Sequence, residues 1–374
     1  MLQFEILHES NRSRARVGRI HTSHGIIDTP GFVAVGTSGT IKALDLATVH
    51  AIGLQLMFCN TYHLMVQPGT AVIQEAGGLH AFTGRNLPII TDSGGFQVFS
   101  LAYGSVANEL KSKGSKSGAN LVVKIDEEGV LFRSYRDGSM LLLTPESSIA
   151  AQKALGADII IPFDELPPYH IAPEALKQSL ARTHRWEKRS LEAHLKNPQG
   201  QSIYGVIHGG VDLELRSLSC QELTSLPFDG FAIGGSMGKN KEEMQHLLSH
   251  TLPLLPKEKP NHLLGMGDLE SIDRGVALGI DTFDSSYPTK AARHGLLLTG
   301  QGPLKLEKAL YSRQFSPIEE GCSCPTCQYH GLAYLHHLFK AKELTGLTLA
   351  TIHNLHFMVQ YMKGIREKIL IDQI

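Results

Sequence analysis

Eight short apolar runs, each breaking into glycine or polar residues, recur along a chain of 374 residues. They read TPGFVAVGTS, GLQLMFCNT, LPIITDSGG, ADIIIPFDE, SIYGVIHGG, GFAIGGS, HLLGMG and IDTFDSSYP. Helix-like stretches lie between most of them, at 145–155 (with Pro145 at a first helical position), 173–195, 213–225, 241–254 and 268–278. Strands alternating with helices build βαβ units and a parallel sheet. Runs that are continuously apolar, not alternating, fit strands covered on both faces. Eight of them predict an α/β fold, a (β/α)8 barrel of the TIM type, with a doubly wound open sheet as the runner-up.

The rhythm is interrupted twice. Residues 111–120, KSKGSKSGAN, read as a polar loop. The alternating stretch after it, with turns at Glu128-Gly129 and Asp137-Gly138, reads as an inserted antiparallel meander near residues 100–143. Beyond residue 300 the rhythm stops. The expected organisation is therefore a barrel over 1–299 and a helical, cysteine-bearing subdomain over 300–374.

Active sites of such barrels form where the strands run out. Asp92, Asp164, His208, Gly234-Gly235, Gly265–Gly267 and Asp284 fall at those ends. A lone Asp there usually caps the next helix, and Asp268 reads as such a cap. Asp92, Asp164 and Asp284 instead lead into Gly or Pro, so three carboxylates around one mouth point to a site. There is no Walker-type loop and no G-x-G-x-x-G after a strand, which argues against phosphate-cofactor chemistry, and no organic cofactor is expected.

Composition sets the remaining bounds. The chain is 42% hydrophobic and 19% charged with a net charge of −1, and its first residues lack the apolar core of a signal peptide. No apolar run is long enough to span a bilayer, so a cytoplasmic protein with no membrane partner is expected. The near-zero net charge hides an uneven distribution. Residues 288–374 carry ten Lys or Arg against six Asp or Glu, and RTHRWEKR at 182–189 is a second basic cluster. Solvated helix surface is the plain reading of both, although a basic C-terminal end is compatible with a phosphate backbone.

Three of only five cysteines sit at Cys322, Cys324 and Cys327. The spacing is too tight for disulfides but suits a tetrahedral zinc site that needs one more ligand. His330, His336, His337, His353 and His356 are the candidates, and periodicity does not choose among them. A closed Cys3His site is structural, and it would clamp the terminal helices onto the barrel.

TDSGGFQVFSL, FDELPPY, DGFAIGG, LLGMG, FDSSYPT, the Cys-x-Cys-x2-Cys run and the terminal TIHN, in this order over nearly the whole chain, resemble the queuine/guanine tRNA-ribosyltransferases (tRNA-guanine transglycosylases) of bacterial type. The resemblance implies a (β/α)8 barrel with a zinc subdomain and His353 as the fourth ligand of one structural Zn2+. It implies exchange of the wobble guanine, in tRNAs with GUN anticodons, for a 7-deazaguanine base, preQ1 or queuine. By resemblance Asp284 is the nucleophile and Asp92 the general acid/base. Two carboxylates suit a retaining exchange at an anomeric carbon through a covalent intermediate.

The segment Asp92, Ser93, Gly94, Gly95 and Phe96 matches the family's base-binding stretch, with Phe96 stacking on the base. Asp164 matches the residue that accepts guanine's two adjacent donors, and Gly235 the one whose N–H meets the purine O6. Gly265, Met266, Gly267, Asp268, Leu269, Glu270 and Ser271, with Thr289, Lys290, Ala291, Ala292 and Arg293, match RNA-contacting segments of the anticodon-loop partner. The family further implies a homodimer.

The chain departs from the bacterial pattern at His208, where a Gln is usual, at Leu166, where a Cys is usual, and at Gly238, where a Val is common. Gly238 is expected to open room beside the base's 7-substituent and admit queuine. A metal-dependent barrel hydrolase is disfavoured, because FVAVGTS carries no His-x-His. A non-catalytic RNA-binding subunit is the alternative within the family, and it is disfavoured because Asp92 and Asp284 are both kept.

Overall fold

The computed structural model describes residues 2–103, 109–111, 121–134 and 136–374. Three antiparallel strands come first, β1 (Gln3–Glu9), β2 (Arg16–Thr22) and β3 (Gly25–Thr29). Then follow β4 (Gly31–Val35), β5 (Met57–Cys59) and β6 (Ile89–Thr91). The inserted strands β7 (Val122–Ile125), β8 (Val130–Arg133) and β9 (Met140–Leu143) are next. Last come β10 (Ile159–Ile160), β11 (Ser202–Ile207), β12 (Gly230–Ile233), β13 (Asn261–Leu263) and β14 (Thr282–Ser285).

Eight of these strands close a parallel barrel in the order β4-β5-β6-β10-β11-β12-β13-β14. The closing pair is β14 with β4, in register from Thr282 opposite Gly31 to Ser285 opposite Ala34. Each apolar run of the sequence supplies one barrel strand. The runs are apolar throughout because each strand buries one face in the barrel and the other under helices. Val33, Phe58, Ile90, Ile159, Ile161, Tyr204, Val206 and Ala232 fill the interior, so the barrel is packed and not a pore.

The meander β7-β8-β9 is an antiparallel sheet inserted between β6 and β10, as the alternation predicts. Most of the polar loop expected before it, residues 112–120, lies outside the described residues. The sheet β1-β2-β3 went unassigned in the sequence. It packs Ile20 and Ile27 into the same cluster as the interior side chains. Arg16, at the start of β2, is tied to Asp281 by a two-pronged ion pair with Nε–Oδ1 at 2.9 Å and Nη2–Oδ2 at 2.7 Å. This pair fixes the sheet to the beginning of β14.

After β14 a short helix, Tyr287–Arg293, leads to the hairpin β15 (Leu296–Leu297) and β16 (Leu304–Lys305). Helices Pro325–Tyr329, Leu332–Ala341 and Leu344–Leu370 follow. The last of these lies on helices Tyr287–Arg293 and Leu46–Ile52 and on β4. Its Ala350, Leu355, Met358, Met362, Ile365 and Ile369 are buried in the same apolar cluster as the barrel's outer face. Asn354, fully buried on this helix, accepts from Leu298 N at 2.9 Å and donates to the carbonyls of Pro288 and Leu296 at 3.0 Å each. These bonds satisfy backbone groups that the strand ends leave open.

Candidate active site

The strand ends bring Asp92, Asp164, His208 and Asp284 to one end of the barrel. Asp92 follows β6 and is 8% exposed. Three donors surround its carboxylate: Thr61 N at 2.7 Å, Asn60 Nδ2 at 2.5 Å and Gln97 Nε2 at 2.9 Å. Burial nevertheless pushes this carboxyl up to about 6; the three donors oppose the rise and Asp164 adds to it.

Asp284, on β14, is 6% exposed. Its Oδ1 accepts from Gly265 N at 2.8 Å and lies 3.1 Å from His262 Nε2. The other imidazole nitrogen, Nδ1, is 2.8 Å from Thr282 Oγ1. With the proton on Nε2, His262 accepts from the Thr282 hydroxyl and donates to Asp284, which holds that oxygen in one place.

Asp164 follows β10. Its Oδ1 accepts from Ser93 Oγ at 2.7 Å, and its Oδ2 lies 2.9 Å from His208 Nε2. Gly95 is needed at its position, since a Cβ there would stand 2.5 Å from Asp164 O and 2.7 Å from Asp164 Oδ1. Gly94 precedes it with φ +90°. The next residue, Phe96, begins the exposed side of helix Gly95–Tyr103 and is 48% exposed. A cavity of about 300 Å³ opens beside Gly95 and Asp164 and is also lined by Leu166. Gly235 lies against His208, whose Nδ1 would be 3.0 Å from a Cβ at that glycine.

Gly238 differs from expectation. With φ +90°, a Cβ at this position would stand 2.7 Å from Glu243 Oε2 and 2.8 Å from Glu243 Cγ. Glu243 is held there by Lys239 N at 2.7 Å and by the Tyr169 hydroxyl at 3.2 Å. The space a valine would need is occupied by Glu243, so the room expected beside the base is not open at this residue.

The RNA-contacting expectation also narrows. Gly267, Ser271, Thr289, Ala291 and Ala292 are buried and present no side chain to a ligand. Gly265, Glu270 and Lys290 are exposed, while Met266, Asp268, Leu269 and Arg293 are half-buried. Asp268 caps helix Leu269–Leu278 through Ser271 N at 3.2 Å, and it also binds Lys241 Nζ at 2.5 Å.

On the barrel's flank, Cys322, Cys324, Cys327 and His353 form a group able to hold a metal ion. Their sulfurs lie 3.8, 3.6 and 3.4 Å from His353 Nδ1. The remaining nitrogen, Nε2, is 2.8 Å from Leu298 O, which leaves Nδ1 free of a proton to ligate. The other candidates are engaged elsewhere: His336 Nδ1 with Leu306 O at 2.8 Å, and His356 Nε2 with Ser323 Oγ at 3.2 Å. His330 lies tilted against Tyr334 with ring centroids 5.2 Å apart, and His337 is exposed.

Sequence reasoning missed the residues that hold the carboxylates: Asn60, Thr61, Gln97 and His262. A His within an otherwise apolar strand was the available signal for His262. Asn60 and Thr61 stand where the second run turns polar.

A closed parallel barrel with buried carboxylates at its C-terminal strand ends, flanked by a Cys3His group able to hold a metal ion, defines a (β/α)8-barrel enzyme. Sequence comparison narrows the class. The family described as queuine tRNA-ribosyltransferase matches residues 10–374, and the chain belongs to it. It is similar to proteins named queuine tRNA-ribosyltransferase from three bacteria. With that of Protochlamydia amoebophila it shares 71% identity over all of this chain and 96% of the relative. With that of Chlamydia caviae it shares 56% over the whole of both chains, and with that of Chlamydia trachomatis serovar L2 58%, again over both whole chains.

Proposed function

We propose that this chain is a tRNA-guanine transglycosylase that exchanges the wobble guanine of tRNAs with GUN anticodons for preQ1 or queuine. The observation that carries the reading is the contrast between two buried carboxylates at one barrel mouth. Asp284 is fixed by the Gly265 N–H and His262, whereas Asp92 sits where burial brings its pKa to about 6, near the working pH.

Asp284 attacks C1′ of the ribose while the bond from C1′ to N9 of guanine breaks. Asp92, as the acid, gives its proton to the departing base. The incoming base then returns a proton to the Asp92 carboxylate and attacks C1′, and Asp284 leaves. Two inversions retain configuration without cutting the backbone. Asp164 accepts the base's adjacent donors with its free lone pairs, His208 and Gly235 flank the base's carbonyl edge, and Phe96 supplies a stacking face. The base must leave the anticodon stack first, a smaller cost in a single-stranded loop.

The metal is one structural Zn2+. Bonds of about 2.3 Å to sulfur and 2.1 Å to nitrogen set sulfur-to-nitrogen edges of about 3.6 Å in a tetrahedron. The 3.4–3.8 Å between the three sulfurs and His353 Nδ1 fit that figure. Exposed Phe315, Tyr329 and Leu344 on the C-terminal segment support assembly as a homodimer. No helix is long and apolar enough to cross a membrane among the described residues, and a tRNA substrate supports a cytoplasmic site of action.

The deciding experiment is incubation with labelled guanine and an anticodon-loop RNA. Label should enter the RNA while its length stays unchanged; no incorporation refutes the proposal.

A further inference from the structure

Behind Asp164 and His208 runs a second line of polar groups that the exchange reaction does not use. His208 is the first residue past β11, and its N–H is caught by Ser219 Oγ, from helix Leu213–Thr224, at 3.1 Å. Ser219 Oγ lies 3.1 Å from His184 Nε2, and His184 Nδ1 lies 2.8 Å from Glu222 Oε2. Ser219 is fully buried and His184 is 8% exposed. Glu222 is half exposed, in a groove of about 610 Å³ between helices Pro173–Leu195 and Leu213–Thr224. The order Glu-His-Ser is that of a hydrolytic triad. Ser219 cannot serve as one, because no acyl group reaches a sealed hydroxyl whose oxygen already accepts an N–H.

The partners fix the protons. Glu222 as a carboxylate only accepts, so His184 Nδ1–H donates to it. Nε2 is then a bare acceptor for the Ser219 hydroxyl, and a Ser219 lone pair remains for the His208 N–H. Burial lowers the pKa of His184, against the pull of Glu222, in keeping with a neutral ring. Each donor therefore has one acceptor. On the far side His208 Nε2 and Ser93 Oγ engage the two oxygens of Asp164 at 2.9 and 2.7 Å, leaving the other lone pairs of that carboxylate for a base.

We infer that Glu222, His184 and Ser219 are positioning residues that set the placement of His208, and through it Asp164, in the base pocket. The inference rests on reading His208 and Asp164 as the base-holding pair. Removing the Ser219 hydroxyl leaves the His208 N–H without an acceptor and His184 Nε2 without a donor, a cost the pocket meets by shifting His208.

The test is calorimetric titration of the full chain with guanine, which needs no turnover, beside titration with the anticodon-loop RNA. Ser219→Ala should weaken guanine binding about ten-fold, and Ser219→Thr, which keeps a hydroxyl, should restore it to within about two-fold. Glu222→Ala, at a half-exposed site that tolerates truncation, should weaken it by several-fold and decides the matter if Ser219→Ala does not fold. RNA affinity should stay within about two-fold throughout. Guanine affinity unchanged in both alanine variants overturns the inference, as does an equal loss of RNA affinity, the mark of general loosening. Incorporation of labelled guanine by the unaltered chain separately decides the function.

Discussion

Asp92→Asn should make the protein more stable and inactive, with a stability gain that depends on pH in a stated direction. Burial raises the Asp92 carboxyl from an ordinary 3.8 to about 6 in the folded chain. A difference of that size corresponds to about 3 kcal/mol between protonated and ionised forms. The sign follows from the raised value. Below about 3.8 the group is protonated both folded and unfolded and costs nothing. Between about 3.8 and 6 folding takes up a proton, and above about 6 the whole cost of a buried anion falls on the native state. Stability from this site is therefore present at acid pH and lost as pH rises through that window.

The neutral amide escapes the cost, and the site can accommodate it. Thr61 N still finds an oxygen, and among the described residues Gln97 Oε1 is buried without a hydrogen-bond partner. Turned about, the Gln97 and Asn60 amides would each present an oxygen to one of the two new Nδ2–H bonds, where both now donate to the carboxylate. At ~2.1 cal/mol/K per residue, a chain of 374 residues unfolds with about 0.8 kcal/mol/K. The variant should then melt about 4 °C higher than the unaltered protein at about pH 8, shrinking to under about 1 °C at about pH 4. Differential scanning calorimetry at both pH values reads this directly. A variant destabilised at pH 8, or one whose gain does not shrink on acidification, would refute the assignment of a buried, reluctantly ionised Asp92.

Three further outcomes are expected. Asp284→Ala should abolish guanine exchange and remove the RNA-linked protein species on denaturing gels; undiminished exchange would remove Asp284 from the role of nucleophile. His353→Ala should release the metal, seen by atomic absorption, and open residues 300–374 to protease, because structural zinc contributes directly to folding energy. Full metal retention there would show that another residue, His330 among them, completes the site. Gly95→Ala should cost about 1–3 kcal/mol by overpacking against Asp164, read by denaturant melts, and should raise the KM for the incoming base about ten-fold with little change in RNA affinity.

The barrel, the inserted meander and the catalytic carboxylate candidates were legible in the sequence because each is a local signal. A strand buried on both faces must be apolar along its length, and an Asp that ends such a run, before Gly or Pro, has few structural reasons to be there. The three clustered cysteines are likewise visible as spacing. Tertiary structure decided what depends on residues far apart in the chain. His353, implied by the family resemblance but not chosen by periodicity, is brought to the cysteines by the docking of helix Leu344–Leu370, which Asn354 settles through carbonyls more than 50 residues away. The N-terminal sheet alternates too weakly to announce itself, because β1 lies half-exposed along its length and its role is set by Arg16 meeting Asp281. The support of Asp284 by His262, and of Asp92 by Asn60 and Thr61, joins neighbouring strands that only their pairing in the barrel brings together, while Gln97 reaches Asp92 from the helix that follows it. Gly238 shows the same limit from the other side: the sequence reports a missing side chain, and only the fold reveals that Glu243 has taken its place.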